Sequence, residues 1–128
     1  MGIVGAIAAG GAVGSVLRYY LGRWNGALET GALPWGTLAA NVLGCLAIGL
    51  LGALFATTWT SVRPEIRMGI LVGVLGGFTT FSSFGFETLQ LLQAGHGSRA
   101  LLYVVLSNGL GLAAAWAGYR IATSLTAT

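Results

Sequence analysis

Few side chains in this sequence can do chemistry, and most of those donate hydrogen bonds from within apolar surroundings. Thr37 and Asn41 stand four residues apart in one apolar run, and Tyr103 and Ser107 stand four apart in another. Thr79, Thr80, Ser82, Ser83 and Glu87 crowd into "GGFTTFSSFGFE", residues 76–87, and Arg18 closes the glycine-rich run at the N-terminus. Hydroxyls, an amide NH2 and a guanidinium all donate, so a path lined by them and poor in carboxylates suits an anion. The same stretch holds four of the chain's five phenylalanines. Phe81 and Phe84, at i and i+3, share a helix face, and their electropositive ring edges suit an anion while keeping its surroundings dry.

Each of these residues also has an ordinary reading. A hydroxyl at Thr37, Ser82, Ser83 or Ser107 can bond back to its own helix or to a neighbour, and phenylalanines commonly do no more than pack. Asn41 is harder to dismiss, because an amide at membrane depth has more hydrogen-bonding capacity than a helix backbone satisfies. Glu87 admits three readings, a proton carrier, an interface residue, or the partner of Arg18 or of an arginine on another span. The pairing is adopted here. Catalytic constellations are missing: His96 stands alone in a turn, no carboxylate pair exists, and Cys45 has no histidine in its run. No enzyme is expected.

The elements that position these groups follow from composition. The chain has 128 residues, 55% hydrophobic and only 7% charged, with a mean hydropathy of +0.83, and charge that sparse cannot give a domain of this size a water-compatible surface. The sequence therefore reads as a membrane protein. Six arginines against three glutamates give a net charge of +3, too few for the basic face that nucleic acid requires. A membrane helix takes about 20 mainly apolar residues, and the sequence divides into four such spans near 2–22, 35–58, 67–94 and 98–123. The first lacks the basic start of a signal peptide and reads as a retained span. The expectation is a single all-α domain, 1–128, of four transmembrane helices in a lipid bilayer. Cys45 lies in an apolar run and should pack as a small hydrophobe.

Charge at the span ends normally orients such a protein. Here Arg18, Arg23 and Arg99 fall on one side and Arg63, Arg67 and Arg120 on the other, a tie of three against three. A tie can be an accident of six charges, but it also permits insertion both ways, and the expectation adopted is an antiparallel homodimer. Four spans alone hardly surround a polar pathway, which points the same way. The GxxxG pairs Gly10/Gly14, Gly69/Gly73 and Gly73/Gly77 predict close helix contacts and say nothing of function. The third span should break near its middle, around Gly76–Thr79, because Gly76-Gly77 followed by two threonines is a poor helix interior and glycine costs about 1 kcal/mol relative to alanine. Irregular backbone at that depth must be buried in protein or line a cavity.

The stretch "GGFTTFSSFGFE", together with "GGAVGSVLRYYLG" in the first span and "GTLAANVLGC" in the second, resembles the CrcB or Fluc family of small fluoride channels along essentially the whole chain. The resemblance implies an antiparallel homodimer with two pores, passing fluoride passively out of the cytoplasm across the bacterial inner membrane. It implies pore-lining roles for Phe81, Phe84, Asn41, Thr37, Ser82, Ser83, Tyr103 and Ser107, and a vestibule role for Arg18. It further implies a structural sodium ion held through the backbone carbonyls of Gly76 and Thr79 of both subunits. Glu87 falls on a family acidic position. Two departures stand out, Gly111 where some members carry a hydroxyl and Gly85 where a serine is frequent. The alternative readings are a proton-coupled multidrug transporter, which would need a carboxylate in the first span, and a non-conducting assembly subunit that uses only its GxxxG faces.

Overall fold

The computed structural model describes residues 2–127. Each of the four apolar runs becomes a helix long and apolar enough to cross a membrane. Helix α1 is Ile3–Gly22 and α2 is Trp35–Thr57. The third span, Pro64–Gln93, is composite: α3 (Pro64–Met68), a π-helical stretch Gly69–Val74, α4 (Leu75–Phe78) and α5 (Phe81–Gln93). Helix α6 is Gly97–Thr126. At about 1.5 Å per residue even the shortest span reaches about 30 Å, the thickness of a hydrocarbon core. Among the described residues there is no β-strand.

Two span ends differ from expectation by more than one residue. The third begins at Pro64 rather than 67, because proline at the first helical position loses no hydrogen bond. The fourth runs to Thr126 rather than 123, since Thr123, Ser124 and Thr126 turn their hydroxyls back onto carbonyls three residues earlier and so remain compatible with helix.

Glycine decides how the helices pair. In α6, a β-carbon at Gly118 would lie inside the Leu46 carbonyl of α2, and one at Gly49 inside the Ala115 carbonyl, so α2 and α6 cross backbone against backbone. Helix α1 meets the third span in the same manner. Gly10 presses on the Gly69 carbonyl, Gly14 on that of Val74, and a β-carbon at Gly73 would stand 2.7 Å from the Ile7 carbonyl. The predicted GxxxG pairs therefore face one another within one chain. That use leaves little for an assembly subunit defined by such faces, and the π-helical widening lies along the seam, often a mark of functional constraint.

Buried residues cluster around Leu33, Leu38, Phe84, Leu91, Ala100 and Tyr103, at the end of the molecule where the first and third connections meet. Arg99 ties those connections by donating to the Gly31 carbonyl at 2.8 Å. Gly31 has φ of 79°, a left-handed conformation that favours glycine. The large apolar side chains that remain exposed, such as Val4, Leu112 and Trp116, suit a surface solvated by lipid.

Candidate ion pathway at the broken third span

The break is the organising feature. Thr79 and Thr80 are extended, with φ, ψ of −85°, 157° and −153°, 120°, and Thr79 is the sixteenth of the 30 residues from Pro64 to Gln93. The expected position needs correction: Gly76 and Gly77 are still helical in α4, and the chain leaves the helix only after Phe78. Two threonines finish what the glycines weaken. Thr79 turns its hydroxyl onto the Leu75 carbonyl at 2.9 Å, while Thr80 restarts the helix as an N-cap, its Oγ1 accepting from the Ser83 amide at 3.1 Å.

Side chains from other helices hold the opened backbone. Asn41 of α2 donates its Nδ2 to the Thr80 carbonyl at 3.0 Å and accepts the Thr80 amide on Oδ1 at 2.7 Å. Arg18 of α1 donates from Nε to the Gly77 carbonyl at 2.9 Å. The Thr80 and Ser83 amides, which in an unbroken α-helix would bond back to Gly76 and Thr79, are thus engaged elsewhere. The Gly76 and Thr79 carbonyls lose their helical donors, and a β-carbon at Gly76 would meet nothing within 4 Å.

Around the break the aromatic rings form a chain. Phe81 and Phe84 have centroids 5.3 Å apart with planes tilted by 46°, and Phe84 and Tyr103 stand 5.3 Å apart at 53°. Phe81 and Phe84 share a face of α5 but not an environment, since Phe81 is 80% exposed and Phe84 8%, while Tyr103 of α6 is 0% exposed. Ser82 and Ser83 place their hydroxyls 3.2 Å from Thr80 Oγ1, so both serve the restart of α5. Ser107 Oγ is buried and has no hydrogen-bond partner among the described residues.

Glu87 corrects a second expectation. Its carboxylate is not paired with Arg18, whose Nε is spent on Gly77, and among the described residues the ion pair is Arg63 with Glu65 at 3.4 Å. Instead Oε1 accepts from Thr37 Oγ1 at 2.7 Å and from Asn25 Nδ2 at 2.9 Å, and Oε2 accepts from the Tyr103 hydroxyl at 2.7 Å. Thr37, Glu87 and Tyr103 are all buried. Sequence reasoning missed Asn25, because "NG" after an apolar run reads as a turn.

Two cavities meet at Thr80. One, an open cleft of about 460 Å³, is polar and is lined by Ser15, Arg18, Arg23, Asn25, Thr37, Ser83 and Glu87 as well as Thr80. The other, of about 360 Å³, is lined by Asn41, Cys45, Ile48, Leu71, Phe81, Phe84 and Ser107 among others. Asn108, overlooked in the sequence, also lines it while donating to its own helix at Val104. Cys45 Sγ, which also lines this cavity, stands 3.4 Å from where a β-carbon of Gly111 would lie.

Residues 5–119 match the family described as CrcB-like protein, Camphor Resistance (CrcB). The chain is 50% identical over 120 residues to a fluoride-specific ion channel FluC of Thermus thermophilus, covering 93% of this chain and 92% of the relative. It is 48% identical over 120 residues to a protein of the same name from Geobacter sulfurreducens, with 94% and 96% covered. A further relative of that name, from Rhizobium leguminosarum bv. trifolii, is 44% identical over 119 residues, with 93% and 94% covered.

Proposed function

The chain belongs to the CrcB-like family, and from that premise we propose that this multi-pass membrane protein is a fluoride channel, working as an antiparallel homodimer with two pores that passes fluoride passively out of the bacterial cytoplasm. One observation carries the reading: broken backbone halfway along an apolar span, with Phe81 80% exposed beside it. Non-helical backbone at that depth is tolerated only inside protein or along a cavity, and one chain leaves this stretch open. A second copy covers it. The tie of three arginines at each end permits the inverted insertion that an antiparallel pair requires.

Fluoride is small and strongly hydrated, so a pore must replace its water with fixed donors and then release it. The polar cleft with Arg18 and Arg23 draws the anion in. Asn41 has a second N–H beyond the one given to Thr80, and the Ser107 hydroxyl is unspent, so both can donate along the apolar cavity. Thr37, Tyr103, Ser82 and Ser83 complete the donor track by exchanging their present bonds. Phe84 faces inward and Phe81 outward, which suits one ring serving its own chain's pore and the other that of the partner. A narrow path of this kind rejects the larger chloride ion.

The Gly76 and Thr79 carbonyls fit a cation, since they lack helical donors, and two copies of each supply four oxygens about a two-fold axis. A sodium ion there would join the subunits and raise the positive potential beside both pores. Fluoride efflux from liposomes containing only this protein tests the reading. Efflux well above that of chloride is expected, falling when sodium is withheld during purification. Equal chloride efflux, or none of either ion, would overturn it.

A further inference from the structure

We propose that Asn25 is a positioning residue of the channel: its carboxamide pins the Glu87 carboxylate against the inner wall of the polar cleft and keeps that negative charge out of the anion's way. The inference rests on the channel reading above.

Asn25 lies in the connection after α1, yet every polar atom of its side chain is directed at the interior. Oδ1 accepts the Thr37 amide at 3.1 Å, and Nδ2 donates to Thr37 Oγ1 at 3.0 Å and to Glu87 Oε1 at 2.9 Å. Both N–H groups and the oxygen are therefore engaged. The Thr37 amide is the third of α2 and has no partner within its own helix, so Asn25 caps α2 from 12 residues away and grips the carboxylate in the same geometry. Leu21 and Gly36 make this possible: a β-carbon at Gly36 would lie inside the Leu21 carbonyl and 3.0 Å from Asn25 Oδ1. Only glycine lets the end of α1 deliver Asn25 to the start of α2.

Glu87 is also a wall residue of the cleft that carries Arg18 and Arg23. Its three donors, on Asn25, Thr37 and Tyr103, are all neutral. They fix where the negative charge sits without cancelling it. Removing Asn25 frees one side of Oε1 on the cleft face, and a carboxylate that swings toward the arginines opposes the anion they attract. Such opposition acts through charge and weakens as salt screens it.

The test is fluoride efflux from liposomes carrying the full chain, with Asn25→Ala alone and in a Glu87→Gln background, measured at about 10 mM and about 0.15 M ionic strength, where the Debye length is about 30 Å and about 8 Å. Glu87→Gln removes the charge that Asn25 holds in place, whereas the cap on Thr37 is lost in both Asn25→Ala proteins. A loss of about tenfold at low salt that shrinks to about threefold at high salt is expected for Asn25→Ala relative to the parent, with no salt-dependent loss when Asn25→Ala is added to Glu87→Gln. The same loss in both backgrounds, or a loss that is the same at both ionic strengths, complete loss included, would show that Asn25 only caps α2. A parent that conducts no fluoride removes the channel reading itself and this role with it.

Discussion

The two cavities that meet at Thr80 hold similar donors in different states. In the polar cleft the donors around Glu87 are spent: Asn25 and Thr37 converge on its carboxylate with Tyr103 behind them, and Arg18 holds Gly77 through Nε, while the Ser15 and Arg23 side chains donate to no side chain or carbonyl among the described residues. In the apolar cavity the donors are fewer and partly unspent, with one N–H left on Asn41 and a buried Ser107 hydroxyl that has no partner. A hydrated ion entering the cleft still has water around it and needs steering more than ligands. On the proposed reading an ion in the apolar cavity would have lost that water, and there an unspent donor is worth most, because the local dielectric is low. The difference predicts where substitutions are costly for transport and where they are costly for folding.

The sharpest way to break the comparison is to replace the rings. Phe81→Ile and Phe84→Ile keep an apolar cavity but remove the electropositive edges, and fluoride flux should fall about a hundredfold, equivalent to about 3 kcal/mol of barrier. Parent-like flux in liposomes would reduce the phenylalanines to packing. Asn41→Ala comes next and should do two things at once. It strips the Thr80 amide and carbonyl of their clamp and removes the cavity's amide donor, so thermal unfolding of the purified protein should show a loss of about 2 kcal/mol along with reduced flux. Behind the cleft, Tyr103→Phe keeps the stack on Phe84 and removes one hydrogen bond to the Glu87 carboxylate, a loss of about 1.5 kcal/mol. Its effect on stability should exceed its effect on flux.

Residues explain which parts of this architecture were legible beforehand. The spans were readable because about 20 apolar residues have few other uses, and Pro64 moved one end for a local reason that proline's missing N–H supplies. The break was readable as a weakness in "GGFTT" but not to the residue, since glycine at positions 76 and 77 tolerates helix and it takes an acceptor on another helix, Asn41, to pull Thr80 out. The π-helical stretch had no signal of its own. Glu87 was misassigned because charge complementarity nominated an arginine, whereas burial selected three neutral donors that one helix face does not reveal. Asn25 was hidden by its neighbour: "NG" signals a turn, and nothing local says that the asparagine side chain crosses to α2 and α5.

The smallest predicted effect separates the break from both cavities. Thr80 lines each of them, yet its hydroxyl works locally, accepting the Ser83 amide and contacting the Ser82 and Ser83 hydroxyls at 3.2 Å. Thr80→Val preserves shape and β-branching, leaves the backbone bonds to Asn41 in place, and removes only the cap. The expected cost is about 1 kcal/mol of stability, read by thermal or denaturant unfolding with the four tryptophans as probes. Fluoride flux should change by less than about threefold, because the clamp and not the cap sets the path of the broken chain. If Thr80→Val instead abolished flux while folding normally, the hydroxyl would be a ligand in transit. The boundary between the cleft and the apolar cavity would then be a binding position and not a structural joint.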